Sequence, residues 1–124
     1  SDSFTELVDI YPTLCELAGI TPPNYIQGQS LIPVLENPKT ILKDEIYTRY
    51  KQGEAVIDKN YSYAEFVEGE KYLGNMLFDM KNDKKQNVDI SKLPENKELV
   101  KKYSIKLKEM RNYVNEDPFE NQSN

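Results

Sequence analysis

An apolar stripe at helical spacing runs through the end of the chain and limits the folds open to the rest. Its members recur at intervals of four and three residues: Leu99, Tyr103, Leu107, Met110 and Val114. Charged residues lie between them, among them Lys101, Lys102, Lys106, Lys108 and Glu109, and Pro94 fits a first helical turn. The pattern predicts an amphipathic helix over residues 94–114. Because such a helix buries only one side, its stripe must lie on another element.

The segment before this helix is typical of β-strands. Strand-forming runs separated by turn residues cover 46–50, 54–57, 61–66 and 76–79. The second and third runs predict a hairpin in which Asn60 takes a positive φ, and residues 69–74 read as a loop. The tyrosines of the third run alternate with small residues. We expect this face to pack under the helix, the alternative being a stacking platform for bases or sugars.

The first third of the chain has a different pattern. Helical spacing predicts a short helix over residues 9–18, with Asp9 as its N-cap and Gly19 as its stop. Prolines then mark residues 21–43 as mostly loop, with one turn at 30–35 that Ser30 could cap and from which Leu31, Val34 and Leu35 face inward. The fold class is therefore α+β: a small antiparallel sheet of about four strands, a long C-terminal amphipathic helix, and a short N-terminal helix with its loop.

Length and composition suit this small fold. The chain has 124 residues, of which 38% are hydrophobic and 30% charged, enough for one modest core. We divide it into residues 1–43 (short helix and Pro-rich loop), 44–115 (sheet and helix) and 116–124 (a frayed polar tail). Residue 1 is Ser and not Met, so we expect the sequence to begin inside a longer gene product.

Charge and residue usage exclude several classes of function. The net charge is −5, which argues against a nucleic-acid partner. No apolar run is long enough for a membrane span. The chain has no His, and its carboxylates show no ligand spacing, so we assign neither catalytic residues nor a metal site. Cys15 has leucines and a glutamate as neighbours and reads as a small buried side chain, not a reactive thiol.

Arg49 and Lys51 are the candidate substrate-binding residues. They close the first strand run, just before Gly53. The fork of a guanidinium group suits a sulfate or phosphate group, which makes this pair the best place for an anionic substrate. An ordinary surface salt bridge is the alternative.

Two blocks of sequence resemble the sulfatase family of the alkaline-phosphatase-like superfamily. The first is Glu-Leu-Val-Asp-Ile-Tyr-Pro-Thr-Leu-Cys-Glu-Leu-Ala-Gly at 6–19, followed by Gly-Gln-Ser-Leu-Ile-Pro-Val-Leu at 28–35. The second runs from 54–66 through Met-Leu-Phe-Asp-Met-Lys-Asn-Asp at 76–83 and Asn-Val-Asp-Ile at 87–90 to the last helix. The likeness is closest to the iduronate-2-sulfatase and choline-sulfatase-like branch. Gln27 and Lys84 depart from the family's Asp and Pro, which puts the loop shapes in doubt.

This resemblance implies the C-terminal part of a sulfatase, which is not catalytic alone. It implies an N-terminal α/β domain of the same protein as partner, whose edge residues 1–43 would form. That domain would carry calcium and a formylglycine made in a Cys/Ser-x-Pro-x-Arg motif. Cys15 is followed by Glu-Leu-Ala-Gly and does not fit that motif. The C-terminal part would line one side of a cleft for a sulfated small molecule or glycan, and the family likeness implies export to the periplasm or outside the cell.

Two other hypotheses stay open. One is a stand-alone interaction module without catalysis, and the other is the tail of a related phosphatase or phosphonate hydrolase. In so short a chain Ile10, Leu14 and Leu17 have no evident partner, and exposed together they would mark an interface. We expect dye binding and self-association of the isolated chain if it is part of a sulfatase, and a compact two-state monomer if it is a module.

Overall fold

A computed structural model describes residues 1–115. The chain divides into two compact units, with Ser1–Asp44 in one and Glu45–Tyr113 in the other. The assignment of the first unit to the edge of a larger α/β domain stays a prediction. The predicted frayed tail, residues 116–124, lies outside the described residues.

The elements have the predicted α+β composition. In chain order they are α1 (Ile10–Leu17), α2 (Ile32–Glu36), β1 (Glu45–Tyr50), β2 (Gly53–Asp58), β3 (Tyr61–Glu68), β4 (Lys71–Asp79) and α3 (Lys97–Asn115), with short 3-10 turns at Leu7–Asp9 and Pro94–Asn96. The four strands form one antiparallel sheet in the order β1-β2-β3-β4. Every connection in this sheet is a hairpin, so neighbours in sequence are neighbours in space.

The core of the larger unit lies between α3 and one face of the sheet, as the apolar stripe predicts. Its buried members are Val56, Tyr63, Leu77, Tyr103 and Leu107. The Tyr103 ring meets the Tyr61 ring edge-on at 5.6 Å between centroids and the Tyr63 ring at 6.2 Å. The tyrosine face of β3 is therefore core, and it is covered by the helix. Each fully buried side chain of this kind stabilises the fold by roughly 1.5–3 kcal/mol as an upper estimate.

The β2–β3 hairpin forms, but its turn differs from the prediction. Among the described residues other than glycine, only Lys51 and Gln86 have a positive φ, so Asn60 does not. Instead, Asp58 Oδ1 accepts hydrogen bonds from the N–H groups of Asn60 (2.8 Å) and Tyr61 (2.9 Å). A side-chain acceptor thus holds this turn without a left-handed residue.

The β3–β4 connection is much shorter than the loop predicted over 69–74, and that prediction is wrong. Glu68 pairs with Lys71, which leaves Gly69 and Glu70 as the whole turn, with φ +60° at Gly69. Strand β4 therefore begins five residues before the predicted run at Met76. The glycines and charged residues of this stretch are poor strand formers, so its pairing is set by β3 and not by its own composition.

In the smaller unit, α1 ends at the predicted glycine. Gly19 has φ +67°, and the N–H groups of Gly19 and Ile20 bind the carbonyls of Glu16 (3.0 Å) and Cys15 (2.8 Å). This is the Schellman arrangement, which needs a left-handed residue after the helix. Cys15 is buried, as predicted. In α2 one of the apolar side chains predicted to face inward does not do so, because Leu35 is 66% exposed.

Candidate functional site

Asp9 stands at the predicted N-cap position of α1, but its side chain makes no capping hydrogen bond to this helix. Its backbone is already helical, with φ −77° and ψ −17°, so its carboxylate lies away from the N–H groups of the first turn. The residue is fully buried. Its Oδ1 accepts from the Gln29 N–H (2.9 Å) and from Lys43 Nζ (2.7 Å), and its Oδ2 accepts from the Glu6 N–H (2.8 Å). One carboxylate thereby joins three segments of the unit.

The surroundings of Asp9 keep its carboxylate ionised. Burial opposes the charge, but the hydrogen bonds from Lys43 and from the Gln29 and Glu6 N–H groups lower the pKa of Asp9. Lys43 also lies 2.7 Å from the Glu6 carboxylate. Burial acts against the Lys43 charge as well, yet its bonds to both carboxylates raise the pKa of the ammonium group. Because each of these charged groups is bonded to a partner in the same unit, we interpret the cluster as a structural link between segments.

Two further contacts join the same segments. The Thr13 hydroxyl donates to the Asp9 carbonyl (2.6 Å) and accepts from the Leu31 N–H (2.9 Å). A Cβ added at Gly28 would lie 2.0 Å from the Val8 carbonyl oxygen, so only glycine fits there. Residues 8–13 and 28–31 are thus locked to each other. This gives a physical reason why the two parts of the first sulfatase-like block occur together.

The structure places the candidate residues Arg49 and Lys51 at the β1–β2 hairpin. Arg49 pairs in register with Glu54; its Nη2 lies 2.6 Å from the Glu54 carboxylate, and its Nε lies 3.1 Å from the Tyr47 hydroxyl. Lys51 occupies the turn with φ +51°, and its ammonium lies 5.4 Å from the centroid of the Tyr50 ring. Arg49 therefore forms a surface salt bridge with Glu54, the alternative to substrate binding considered from the sequence. Contact of either residue with a substrate stays a prediction.

A charge network that sequence reasoning missed lies where α3 crosses the sheet. Glu54 on β2 and Glu65 on β3 are direct cross-strand partners, an arrangement that is unfavourable without a cation. Arg111 of α3 supplies it: its Nε binds Glu54, and its Nη2 lies 3.7 Å from Glu65 Oε2. Glu65 is 5% exposed and also accepts from the Tyr63 hydroxyl at 2.9 Å. Only the hairpin register, and no local motif, reveals this pair.

A cleft of about 550 Å³ opens between α3 and the β3–β4 side of the sheet. Its floor is polar: the Asn75 amide donates to the Tyr63 hydroxyl at 3.3 Å, and the Tyr63 hydroxyl donates to the Glu65 carboxylate. Tyr72, 55% exposed, stands beside this floor. Three exposed lysines of α3 line the cleft: Lys97, Lys101 and Lys108. Polar, aromatic and cationic groups therefore meet in one depression of the larger unit.

The part of the chain that the structure describes shows neither a metal-binding cluster nor an exposed cysteine. Within residues 1–115 no group of three or more Cys, Asp or Glu could hold a metal ion. The buried Asp9 is paired with Lys43, and Cys15 is only 7% exposed. The described residues thus do not fit the calcium or the formylglycine, which the resemblance assigns to the N-terminal domain. Over the same residues, no helix combines the length and apolar character that a membrane crossing requires.

Comparison with known protein families defines the class of this chain. The family model for the C-terminal part of N-sulphoglucosamine sulphohydrolase matches residues 1–113. The chain belongs to this family and is a C-terminal sulfatase domain. The identification drawn from the two sequence blocks is therefore confirmed.

Individual relatives agree with this assignment. Over 113 residues the chain is 34% identical to the Delta 4,5-hexuronate-2-O-sulfatase of Bacteroides thetaiotaomicron, covering 84% of this chain and 21% of the relative. A solved structure in complex with its substrate D-glucosamine-2-N,6-O-disulfate is similar with a TM-score of 0.76 and 25% identity, covering 89% of this chain and 24% of that one. The chain thus spans about a fifth to a quarter of the length of these proteins, which contain a larger N-terminal part.

The fold is not confined to sulfatases. The phosphonate monoester hydrolase of Agrobacterium radiobacter has a TM-score of 0.71 to this chain, with 22% identity over 90% of this chain and 25% of that one. At this identity the likeness concerns the fold alone. The architecture of the C-terminal domain is therefore shared by enzymes with different substrates.

Proposed function

We propose that this chain serves a sulfatase that hydrolyses a sulfate ester on a saccharide, and that it has no catalytic activity alone. The observation that carries the proposal is the family match over residues 1–113, supported by relatives whose names specify sulfated hexuronate and glucosamine. The calcium ion and the formylglycine would belong to the larger N-terminal part. The role of this chain is to complete the fold and to form one side of the substrate cleft.

The exposed face of α1 supports a partner domain within the same protein. Pro12, Thr13 and Cys15 are buried, whereas Leu14 and Leu17 are 58% and 66% exposed. Further exposed apolar residues of this unit are Leu7, Val8, Ile10, Tyr11 and Ile20. So many exposed apolar residues within one short segment are typical of an interface. We infer that the N-terminal domain covers it.

The test compares the intact protein with this chain alone. The intact protein is assayed for sulfate release from a 2-O-sulfated hexuronate disaccharide and for hydrolysis of a phosphonate monoester. We expect sulfate release by the intact protein and none by residues 1–124. If the intact protein prefers the phosphonate monoester, the sulfatase hypothesis is wrong and the phosphonate hydrolase hypothesis takes its place. Turnover by the chain alone would refute its non-catalytic role.

Arg49 and Lys51 are proposed to contact the anionic substrate. Their position at an exposed hairpin and their cationic groups support this. Substituting both with Ala in the intact enzyme should raise KM with little change in kcat, because the contact would serve binding. A matched control replaces Lys59 and Lys81, exposed lysines of other turns. If the Arg49→Ala/Lys51→Ala enzyme keeps the same kcat/KM, these residues do not belong to the site.

A further inference from the structure

We propose that the cleft beside α3 binds a saccharide ring that carries an anionic group, as an accessory site for the sugar chain on which the enzyme acts. This rests on the proposed function for its biological setting. Its chemistry follows from the floor, the aromatic side chain and the cationic lining of the cleft, taken in turn below.

The floor of the cleft suits hydroxyl groups. Glu65 is 5% exposed, and a carboxylate offers about four acceptor positions. Among residues 1–115, its carboxylate accepts from the Tyr63 hydroxyl at 2.9 Å and lies 3.7 Å from Arg111 Nη2. Acceptor capacity therefore remains for a ligand that donates, and Asn75 and Ser104 line the same cleft. A sugar hydroxyl both donates and accepts, whereas a bare inorganic anion cannot donate to Glu65.

Tyr72 gives the cleft an apolar surface. Its side chain is 55% exposed, although an aromatic ring of this size gains from being covered. Val67 and Val100 also line the cleft. Ligand sites commonly combine such apolar surface with a few converging polar groups, and about 550 Å³ lies within their usual size. The C–H face of a pyranose ring matches this surface.

The charge of the lining selects an anionic ligand. Four cationic side chains line the cleft against two acidic ones, Glu65 and Glu70, although the chain as a whole has a net charge of −5. Arg111 is engaged by the two carboxylates beneath α3. Within residues 1–115, the lysines at 97, 101 and 108 form no ion pair, in contrast to Lys106 on the same helix, which binds Glu45. Local excess positive charge raises the concentration of anions at such a site.

The test measures binding without turnover. The probe is an unsulfated hexuronate–hexosamine disaccharide, which carries a carboxylate but no sulfate ester, titrated calorimetrically into the intact protein. We expect Tyr72→Ala and the double variant Lys101→Ala/Lys108→Ala each to weaken binding roughly tenfold, about 1.4 kcal/mol. Lys102→Ala is the matched control, because Lys102 is exposed on the same helix but does not line the cleft. All these side chains are exposed, and melting curves verify that the variants fold.

Three outcomes would overturn the proposal. They are no binding of the disaccharide, equal binding by the cleft variants, and equally tight binding of an acidic peptide that displaces the disaccharide. Neutral cellobiose should bind weakly, since it lacks the anion. Loss of this site would leave hydrolysis of a small aryl sulfate unchanged. A protein that binds the disaccharide but releases no sulfate from any ester would refute the proposed function and leave the cleft proposal standing.

Discussion

The two units of the chain bury different kinds of side chain. The larger unit buries an apolar and aromatic cluster between its sheet and α3. The smaller unit buries the polar Asp9 and Thr13 together with Pro12, Cys15 and Val34, and it leaves Ile10, Leu14 and Leu17 of α1 exposed. The larger unit thus has a core of its own. The smaller unit orders its loops by polar contacts around Asp9, and its exposed apolar side chains are the surface that we propose a partner domain covers.

The largest effect should follow from removing the central tie of the smaller unit. Asp9→Ala leaves Lys43 partly buried with only Glu6 beside it, and breaking a buried ion pair costs ~3–5 kcal/mol. Glu6→Gln removes a more exposed partner and should cost less than ~1 kcal/mol. Urea unfolding of the intact protein measures both. If Asp9→Ala lowers the free energy of unfolding by no more than Glu6→Gln does, the contacts of Asp9 are not what organises the smaller unit.

A leucine from each unit sharpens the comparison next. Leu107→Ala empties a fully buried position and should cost about 2–5 kcal/mol with or without the N-terminal domain. Leu14→Ala, at a position 58% exposed here, should cost little in residues 1–124 but about 2 kcal/mol or more in the intact protein, where a partner covers it. Thermal unfolding of both forms checks this. A negligible cost of Leu14→Ala in the intact protein would contradict the interface.

Acid should weaken both units, through one carboxylate in each. The pKa of Asp9 is lowered as described above. At Asp58 burial opposes the charge, but the Tyr103 hydroxyl at 2.6 Å and two N–H groups lower the pKa. A lowered folded-state pKa gives stability that is present above the unfolded value, about 3.9, and is lost as pH falls through the folded value. Unfolding at pH 2–6 should show this loss, and Asp9→Asn and Asp58→Asn should each flatten it. A pH-independent stability would contradict both assignments.

The smallest effect concerns the β1–β2 turn. Lys51 has φ +51°, a conformation that costs an L-residue roughly 1 kcal/mol and glycine nearly nothing. Lys51→Gly should therefore stabilise the larger unit slightly, by about 0.5 kcal/mol after the greater freedom of glycine in the unfolded state is counted. Lys59→Gly, in a turn without positive φ, should destabilise it. If Lys51→Gly and Lys59→Gly shift the melting temperature equally, the backbone of Lys51 is not strained.

The sequence predicted the larger unit better than the smaller one, and the reason is physical. The stripe of α3 and the tyrosines of β3 are local periodic patterns, and burial in the core follows from them. The position of Asp9 depends on Gln29 and Lys43, whose contacts span 20 and 34 residues. A local N-cap rule cannot include such partners. The pairing of Glu54, Glu65 and Arg111 was missed for the same reason, since it depends on both the hairpin register and the position of α3 on the sheet.

The cleft shows the same limit on the functional side. Its lysines read in sequence as the solvated face of α3, and that description stays correct for the helix alone. What the sequence does not contain is the closeness of Tyr72 and Glu65 to that face, which arises from the short turn at Gly69 and the extended β4. Arg49 and Lys51 stand out in sequence because they are adjacent to a turn, and their role in substrate binding is still a prediction.

The bond between Asp9 and Lys43 also sets an order of events when the protein is made. Lys43 follows Asp9 by 34 residues. The ribosome therefore synthesises α1 and the loop after it before it adds the lysine that pairs with the Asp9 carboxylate. Until Lys43 has left the ribosome, burying the unpaired Asp9 carboxylate would cost free energy relative to leaving it in water. The smaller unit should therefore stay open during this interval. A polypeptide truncated before Lys43 would remain in that open form and offer its unfolded segment to proteases.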